Sequence, residues 1–325
     1  MAELKFALKP KPPFRLDLTA WALRRRPHNV IDRFEDGVYR RVLVLDGAPY
    51  SVAIRQTRGI DRPELEVSLS LARDRGRHDG DFKAHAAATL TRILGLDRDL
   101  ADFYRIASAD KALAPMAERL RGMKPVRFPT VFEAFANAVA CQLLSITAGL
   151  HVVNRFARQY GRACGDGADA SRAFPQAEDV VGATPETLRA LGFSRPKGVY
   201  LIGLAQIASA PDPANRDFAN LAALDDATAI ARLREIRGVG RWTAEYVLLR
   251  GFGRLNIFPA DDVGGRNLLF GWLRARGEPG YERVRAMLAR WDPYGGLIYL
   301  HLIVNSLVDK GLVESPASTS IATPL

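Results

Sequence analysis

Two adjacent carboxylates, Asp261 and Asp262, end a loop that contains both glycine and proline, GFGRLNIFPADD. Asp262 lies 22 residues beyond Gly240, the last residue of a tight turn between two predicted helices. In a pocket of low dielectric a carboxylate can stabilise positive charge that develops on a substrate. It can also orient or deprotonate a water molecule. Spacing alone does not say which of the two aspartates would do this.

The turn itself, Arg237-Gly238-Val239-Gly240, could bind a phosphate. Its two glycines allow a very tight connection and the close approach of another backbone. The helix that follows opens with free amides at Gly240, Arg241 and Trp242, and its positive dipole end favours an anion. Such a hairpin would grip one DNA strand by its backbone without reading sequence. A dinucleotide-binding loop is disfavoured because that motif must follow a strand, whereas LREI ends a helix. A plain helix–helix turn stays open.

Composition is compatible with a polyanionic partner. The chain has 325 residues, 48% of them hydrophobic, with 46 Lys plus Arg against 36 Asp plus Glu and a net charge of +10. An ordinary globular protein of two or three packed units is expected. The basic excess favours nucleic acid, although a solvated basic surface would give the same count.

Metal and disulfide chemistry is disfavoured. Cys141 and Cys164 are the only cysteines, which excludes a disulfide framework and any four-cysteine zinc or iron–sulfur site within the chain. Five scattered histidines show no ligand spacing (His28, His78, His85, His151 and His301). No run reaches membrane-spanning length and the N-terminus lacks a signal-like apolar region, so we expect a soluble protein in a reducing, intracellular compartment.

The N-terminal third is predicted to mix α and β structure. Segments 14–26, 38–56 and 64–72 show β-branched or alternating patterns. Asp36-Gly37 and Asp46-Gly47 predict hairpin turns, because glycine accepts the positive φ that these turns need.

Helices are predicted for the rest of the chain. The first spans about 82–94, and from residue 96 onward the pattern is helical throughout. Thr130 and Glu133 predict a capping box ahead of a helix over 131–145. Thr184-Pro185 and Gly192 mark the start and the end of another helix.

The apolar segment 297–308 predicts a central buried helix, and the tail has a disordered composition. We therefore predict an α+β fold: an N-terminal antiparallel β-sheet domain with helices at 1–93, an all-α module at 94–312 and a flexible tail at 313–325.

The segment LREIRGVGRWTAEY, residues 233–246, with Asp262 after it, resembles the helix-hairpin-helix of the DNA glycosylase superfamily that carries a Gly/Pro-rich loop and an aspartate. Residues 132–161 resemble the helix pair that carries the wedge of this family. The likeness continues through 191–205 and 289–302 and is most similar to the bacterial 3-methyladenine-DNA glycosylase II branch.

The resemblance implies that Asp262 is the catalytic carboxylate, with Asp261 as a helix cap. It implies that Leu143 fills the gap left by an extruded base. Because Leu143 also fits the apolar stripe of its predicted helix, a core position remains an alternative.

The same resemblance implies a base pocket walled by Trp242 and Tyr246, four residues apart on one helix face, and more weakly by Trp21. Simple core packing of the pair is the alternative. Family members with lyase activity carry a nucleophilic lysine at the position of Trp242, which favours a monofunctional enzyme.

Contacts with DNA are implied for residues of the wedge turn and the hairpin, namely Gln142, Leu143, Gly238, Gly240, Arg241 and Thr243. The backbone carbonyls of Arg234, Ile236 and Gly238 would hold a monovalent Na⁺ or K⁺ ion, and no other cofactor is expected. Three positions depart from the family pattern: Arg237 replaces a proline, and Val263 and Ile303 replace aromatic residues, which leaves the lesion spectrum open.

The resulting hypothesis is a monofunctional DNA glycosylase that hydrolyses the N-glycosidic bond of alkylated purines in base excision repair, with deaminated purines as a further substrate class. The expected partner is double-stranded DNA with damaged bases, bound by a monomer in the nucleoid-associated cytoplasm. A non-enzymatic damaged-DNA-binding protein and a bifunctional glycosylase/lyase are the alternatives.

Overall fold

The computed structural model describes residues 3–71, 80–165, 167 and 170–313. The strands are β1 (Glu3–Leu8), β2 (Arg33–Glu35), β3 (Val38–Leu45), β4 (Ala48–Gln56), β5 (Leu65–Leu71), β6 (Ala163–Cys164) and β7 (Ser171–Arg172). The α-helices are α1 (Leu16–Arg24), α2 (Gly80–Leu94), α3 (Ala101–Ala109), α4 (Leu113–Arg119), α5 (Val131–Cys141), α6 (Ile146–Tyr160), α7 (Pro185–Ala190), α8 (Arg195–Ala208), α9 (Asp226–Arg234), α10 (Arg241–Val247), α11 (Val263–Leu273), α12 (Tyr281–Leu288) and α13 (Gly295–Asp309).

An antiparallel sheet with the order β1-β5-β4-β3-β2 forms the N-terminal part. The two predicted hairpin turns are confirmed. Asp36-Gly37 joins β2 to β3 and Asp46-Gly47 joins β3 to β4, and all four residues have positive φ. Positive φ at both central residues matches the right-handed twist of the flanking strands. With the helices that follow, the α+β fold class is confirmed.

Segment 14–26 is not a strand, so the alternating interpretation of it is wrong. It forms α1, which is buried on nearly every side. The amide of Leu16 at its start donates to the side chain of Gln56 at 2.9 Å. A helix that is buried all round shows no 3.6-residue pattern, which explains why its period was misjudged.

The predicted capping box of α5 is only half formed. The Thr130 hydroxyl accepts from the Glu133 amide at 3.1 Å, as expected. The Glu133 carboxylate does not return to the helix start, because it binds the Arg41 guanidinium of β3 at 2.6 Å. Arg41 also pairs with Asp32 at 2.9 Å, and all three side chains are buried. This triad fastens the sheet to the helical part of the molecule.

Other local predictions agree with the structure. Helix α2 covers the predicted 82–94 stretch, α7 begins at Pro185 after its Thr184 cap, and Gly192 follows that helix with a φ of +100°. Helix α13 is buried over most of its length. The short pair β6–β7 interrupts the region expected to be helical throughout.

Buried side chains form two large groups. The first joins the sheet, α1 to α4 and α11 to α13, and the second joins α5 to α10. A π-helical turn, Leu248–Phe252, links them, since Leu248 packs in the second group and Leu249 in the first. The C-terminal helices therefore complete the core of the N-terminal sheet. The domain boundary at residue 93 stays a prediction.

Within these described ranges, no helix is both long and apolar enough to cross a bilayer. The Cys141 thiol is free, and the buried Cys164 thiol donates to the Ser70 carbonyl at 3.8 Å. His78 and the tail beyond Val313 lie outside the described residues.

Candidate active site

The carboxylate of Asp262 is held on both oxygens at the start of α11. Oδ1 accepts from the Gly264 amide at 3.0 Å, which makes Asp262 the N-cap of this helix, and Oδ2 accepts from the Tyr299 hydroxyl. The prediction that Asp261 caps the helix is therefore wrong. Asp261 instead pairs with Arg241 at 2.6 Å. The two neighbouring aspartates point to different partners, which spacing along the chain could not reveal.

Tyr299 is a site residue that the sequence did not indicate. It is buried on α13, and burial together with the Asp262 carboxylate raises the pKa of Tyr299 well above its usual range. The phenol therefore stays protonated and donates to Asp262. A Cβ on Gly265 would lie 2.6 Å from the Tyr299 ring, so this glycine makes room for the contact. A single tyrosine in an otherwise apolar helix was the available signal.

Helix α10 holds the loop that leads to Asp262. The Glu245 carboxylate is buried, and it accepts from the Ala260 amide at 3.1 Å and from the Tyr281 hydroxyl at 2.6 Å. Burial raises the pKa of Glu245. The burial of Tyr281 and its hydrogen bond to Glu245 raise the pKa of Tyr281 to about 12. Arg241 stacks over the Tyr281 ring at 3.6 Å while it pairs with Asp261. Two contacts from one helix thus fix the two residues before Asp262.

The hairpin between α9 and α10 needs one of its glycines for conformation. Gly238 has a φ of +86°, and a Cβ there would lie 2.2 Å from the Tyr200 ring. Gly240 has an ordinary φ of −84° and faces open space. The free space at Gly240 is where another molecule could approach the backbone closely.

Gln142 connects the hairpin to the turn between α5 and α6. Its side-chain amide donates to the Gly238 carbonyl at 3.0 Å and to the Thr243 hydroxyl at 3.1 Å. Thr243 is only 1% exposed. The DNA contact of Thr243 stays a prediction. Because its hydroxyl is used inside the protein, its main-chain amide in the first helical turn is the group left for such a contact.

Leu143 does not lie on the apolar stripe of α5, because that helix ends at Cys141. Leu143 is 103% exposed and has a φ of +56°. The Lys197 ammonium supports this turn by donating to the Gln142 carbonyl at 2.6 Å. The structure thus presents a large apolar side chain at the surface, on a turn that is tied to the hairpin.

Trp242 and Tyr246 lie side by side, with ring centroids 5.6 Å apart and planes inclined by 30°. Tyr246 is nearly buried and Trp242 half-buried, and both pack on the second core group. Burial, the Asp262 carboxylate and, to a smaller extent, the Tyr246 phenol raise the pKa of Tyr299. Trp21 packs in the first core group under the Arg24 guanidinium. In the described part of the chain, Trp21 forms no ring contact with the pair.

Two buried arginines, Arg25 and Arg250, were not predicted from the sequence. Arg25 is 5% exposed and donates to Asn137 Oδ1 at 2.7 Å and to the Tyr246 hydroxyl at 3.3 Å. Arg250 is 1% exposed and reaches the Ala22 carbonyl at 3.5 Å. In the sequence, RRR at 24–26 is typical of a basic surface, so nothing marked Arg25 as buried.

The remaining predicted positions lie around this centre. The Ile236 carbonyl accepts from the Val239 amide at 3.0 Å, and Arg237 lies over the Tyr200 ring at 6.0 Å. Val263 is 61% exposed next to Asp262, whereas Ile303 is half-buried against the first core group. The described residues contain no cluster of His, Cys, Asp or Glu suited to a metal ion.

One protein-family model matches part of this chain. Residues 136–293 match the model described as HhH-GPD superfamily base excision DNA repair protein. The chain is 30% identical to DNA-3-methyladenine glycosylase of Bacillus subtilis over 169 residues, 52% of this chain and 55% of that relative. This chain thus spans about half the length of that relative.

Two further likenesses extend over nearly the whole chain. DNA-3-methyladenine glycosylase 2 of Escherichia coli is 24% identical over 300 residues, 91% of this chain and 96% of that protein. The structure of 3-methyladenine DNA-glycosylase from Archaeoglobus fulgidus shares the fold with a TM-score of 0.78, over 93% of this chain and 98% of that chain, at 23% identity.

Proposed function

Because residues 136–293 match the HhH-GPD superfamily of base excision DNA repair proteins, we propose that this chain is a member of that superfamily and acts as a monofunctional DNA glycosylase. Its substrate is duplex DNA that contains a damaged purine, and alkylated purines are the first class to test because the named relatives are 3-methyladenine glycosylases. The observation that carries the proposal is the Asp262 carboxylate, held by the Gly264 amide and the Tyr299 hydroxyl next to the aromatic pair Trp242 and Tyr246.

The reaction begins with the extrusion of a nucleotide from the stack, which costs a few kcal/mol. Leu143 enters the vacated space and offsets part of this cost, because its side chain already stands free of the protein surface. The flipped base packs against Trp242 and Tyr246, whose faces offer a stacking surface.

Hydrolysis then breaks the bond between C1′ and the base nitrogen, and the electron pair leaves with the base. Positive charge develops on the sugar, and the Asp262 carboxylate stabilises it. Asp262 also orients a water molecule, whose oxygen bonds to C1′ while its proton passes to the carboxylate. Tyr299 keeps the carboxylate in one orientation by donating to Oδ2.

A lyase step would need an amine nucleophile at the position after the hairpin, and that position is Trp242. The indole cannot form a Schiff base. The product is therefore an intact strand with an abasic site.

The hairpin is proposed to hold the phosphate backbone of one strand. The open space at Gly240 and the main-chain amides of the first turn of α10 support this role. The Gln142 side chain already binds the Gly238 carbonyl, and the Arg241 side chain already binds Asp261. We therefore propose that these two residues chiefly shape the DNA-binding surface. We propose that the protein acts at the nucleoid, because its proposed substrate is duplex DNA. We also propose that it acts as a monomer.

A monovalent Na⁺ or K⁺ ion is proposed at the carbonyls of Arg234, Ile236 and Gly238. The Ile236 and Gly238 carbonyls each accept one internal hydrogen bond, and each keeps a second lone pair for an ion.

The test is a duplex oligonucleotide with one 7-methylguanine or one hypoxanthine, incubated with protein and then heated in alkali. Strand scission only after alkali supports a monofunctional glycosylase, and scission without alkali points to a lyase. Asp262→Asn should retain binding to damaged duplex and lose turnover by at least about a hundredfold. Asp261→Asn is the matched control, with at most a modest loss. If binding occurs but no lesion is ever released, the protein is a damage-binding protein instead.

A further inference from the structure

The interior behind the proposed base pocket carries more positive than negative charge. On the side of Phe128 and Tyr246, three buried guanidinium groups, those of Arg25, Arg41 and Arg250, lie with two buried carboxylates, whereas the buried Glu245 carboxylate binds the Ala260 amide and the Tyr281 hydroxyl. Both carboxylates, Asp32 and Glu133, bind Arg41 directly. Among the described residues no carboxylate forms an ion pair with Arg25 or with Arg250. A buried charge without an ion-pair partner lowers the folding stability of the free protein, which suggests that the two guanidinium groups have a functional role.

This excess charge lies directly behind the wall of the pocket. Arg25 donates to the Tyr246 hydroxyl oxygen at 3.3 Å. The guanidinium groups of Arg25 and Arg250 both lie over the Phe128 ring, at 5.8 and 4.8 Å, and Phe128 packs against Tyr246 with centroids 6.5 Å apart. Tyr246, Phe128 and the guanidinium groups of Arg25 and Arg250 are thus packed against one another in one layer.

The unmet hydrogen-bonding groups of this layer are all donors. The indole Nε1 of Trp242 and the Nε atoms of Arg25 and Arg250 are buried without a partner. The Tyr246 hydroxyl accepts from Arg25, and within the described ranges its own hydrogen has no acceptor. Buried polar groups are normally satisfied, so donors left free in a binding site indicate a ligand that is rich in acceptors.

We infer that this pocket favours a neutral oxopurine, such as the product of purine deamination, over an N-alkylated purine that carries a positive charge. The inference rests on the proposed glycosylase function and specifies its substrate class. A cationic base is repelled by the uncompensated guanidinium groups, and alkylation at N7 removes an acceptor from the ring. A neutral oxopurine keeps its ring nitrogens and its carbonyl oxygen as acceptors for the Trp242 indole and the Tyr246 hydroxyl, the two free donors that belong to the wall itself.

The charge also matters for the departing base. When the C1′–N9 bond of a neutral purine breaks, the electron pair leaves with the base, which becomes an anion until a proton arrives from solvent. A cationic alkylpurine departs as a neutral molecule. Positive charge behind the pocket therefore stabilises the transition state of the neutral substrate and opposes the binding of the cationic one.

The test measures single-turnover release of hypoxanthine and of 7-methylguanine from otherwise identical duplexes, for the wild type, Arg25→Gln and Arg25→Lys. The readout is the ratio of the two rates. Arg25→Gln should lower the hypoxanthine-to-methylguanine ratio by about tenfold, the effect of one charge roughly 10 Å away at an effective dielectric constant of about 20. Arg25→Lys keeps the charge and should keep most of the ratio.

Arg162→Gln is the matched charge control, because the half-buried Arg162 guanidinium pairs with Asp179 at 3.0 Å and its removal should leave the ratio unchanged. Tyr246→Phe removes one free donor and tests the same inference without altering charge; it should lower hypoxanthine release more than methylguanine release. If either Arg25→Gln or Tyr246→Phe fails to fold, the other still decides. An unchanged ratio in the folded variants overturns the inference while the glycosylase function stands. Release of neither lesion by the wild type overturns the proposed function, and this inference with it.

Discussion

Leu143 combines a strained backbone with complete exposure. A non-glycine residue at positive φ costs on the order of 1 kcal/mol or more, and an isolated leucine in water gains nothing from burial. Neither feature stabilises the free protein. The turn is nevertheless held from both sides, by Gln142 on the hairpin and by the Lys197 ammonium on α8. We interpret this arrangement as a wedge that is set before DNA arrives.

Leu143→Ala should reduce base release from paired duplex by about tenfold or more, because the smaller side chain no longer fills the vacated space. Release from a lesion in single-stranded DNA should change little, since no stack has to be opened. Both rates come from single-turnover assays with the same lesion. Leu144→Ala is the control, because Leu144 is the exposed neighbour in the same turn. Equal losses for the two variants would contradict the wedge.

At the scale of elements, α10 both follows the hairpin and holds the loop of Asp262, the proposed catalytic residue. Glu245 binds the Ala260 amide, and Arg241 binds Asp261, so both contacts act on the chain just before Asp262. The same helix thus connects the hairpin proposed to bind a phosphate with the loop that positions Asp262.

Glu245→Gln should lower kcat by about tenfold and leave KM nearly unchanged, because an amide cannot accept from Ala260 and Tyr281 as the carboxylate does. The split between the two constants separates misplacement of Asp262 from loss of DNA binding. Steady-state release of a damaged base provides both constants. The control is Glu235→Gln, an exposed position of the same hairpin that pairs with Arg232 at 3.5 Å. A rise in KM at constant kcat would assign Glu245 to DNA binding instead.

Elements with local signals could be predicted from the sequence, and contacts between distant segments could not. The Asp-Gly turns and the Thr184-Pro185 helix start depend on residues that are neighbours in the chain. Helix α1 was misjudged because burial on all sides hides its period. The end of α5 at Cys141 was missed for a related reason, since Leu143 continued the apolar spacing.

The candidate site divides in the same way. Asp262, Trp242 and Tyr246 were predicted through the resemblance of the hairpin segment to a known family, and their roles stay predictions. Tyr299 and Arg25 were missed, because their roles arise from α13 and α1, which reach the site only in the folded chain.

At the scale of the whole molecule, the proposed site lies where the two core groups meet. Trp242 and Tyr246 belong to the second group and Tyr299 to the first. Ligand sites commonly lie at such junctions, because each side supplies rigid walls. The Asp262–Tyr299 contact therefore requires that the first core group is fully packed. Helix α13, which carries Tyr299 into that group, also contains a buried titratable residue, His301.

His301 is fully buried in α13, two residues after Tyr299. Its Nδ1 bonds to the Leu297 carbonyl at 2.9 Å, and its Nε2 has no partner in the described part of the chain. Burial lowers the pKa of His301 from 6.5 to about 4. Below pH 6.5 the unfolded chain therefore binds a proton that the folded protein refuses. The contribution of His301 to stability is fully present above pH 6.5 and is lost as the pH falls towards 4.

Between pH 6.5 and pH 4 this difference should lower the free energy of unfolding by about 3 kcal/mol. His301→Leu should remove that part of the pH dependence, whatever it does to stability at pH 7. Denaturant unfolding at pH 7, 5.5 and 4 measures both curves. His85→Gln is the control, because His85 is exposed beside Asp46 and should keep the wild-type slope. Parallel curves for the wild type and His301→Leu would show that the imidazole is protonated without cost, which requires water to reach the core beneath Tyr299.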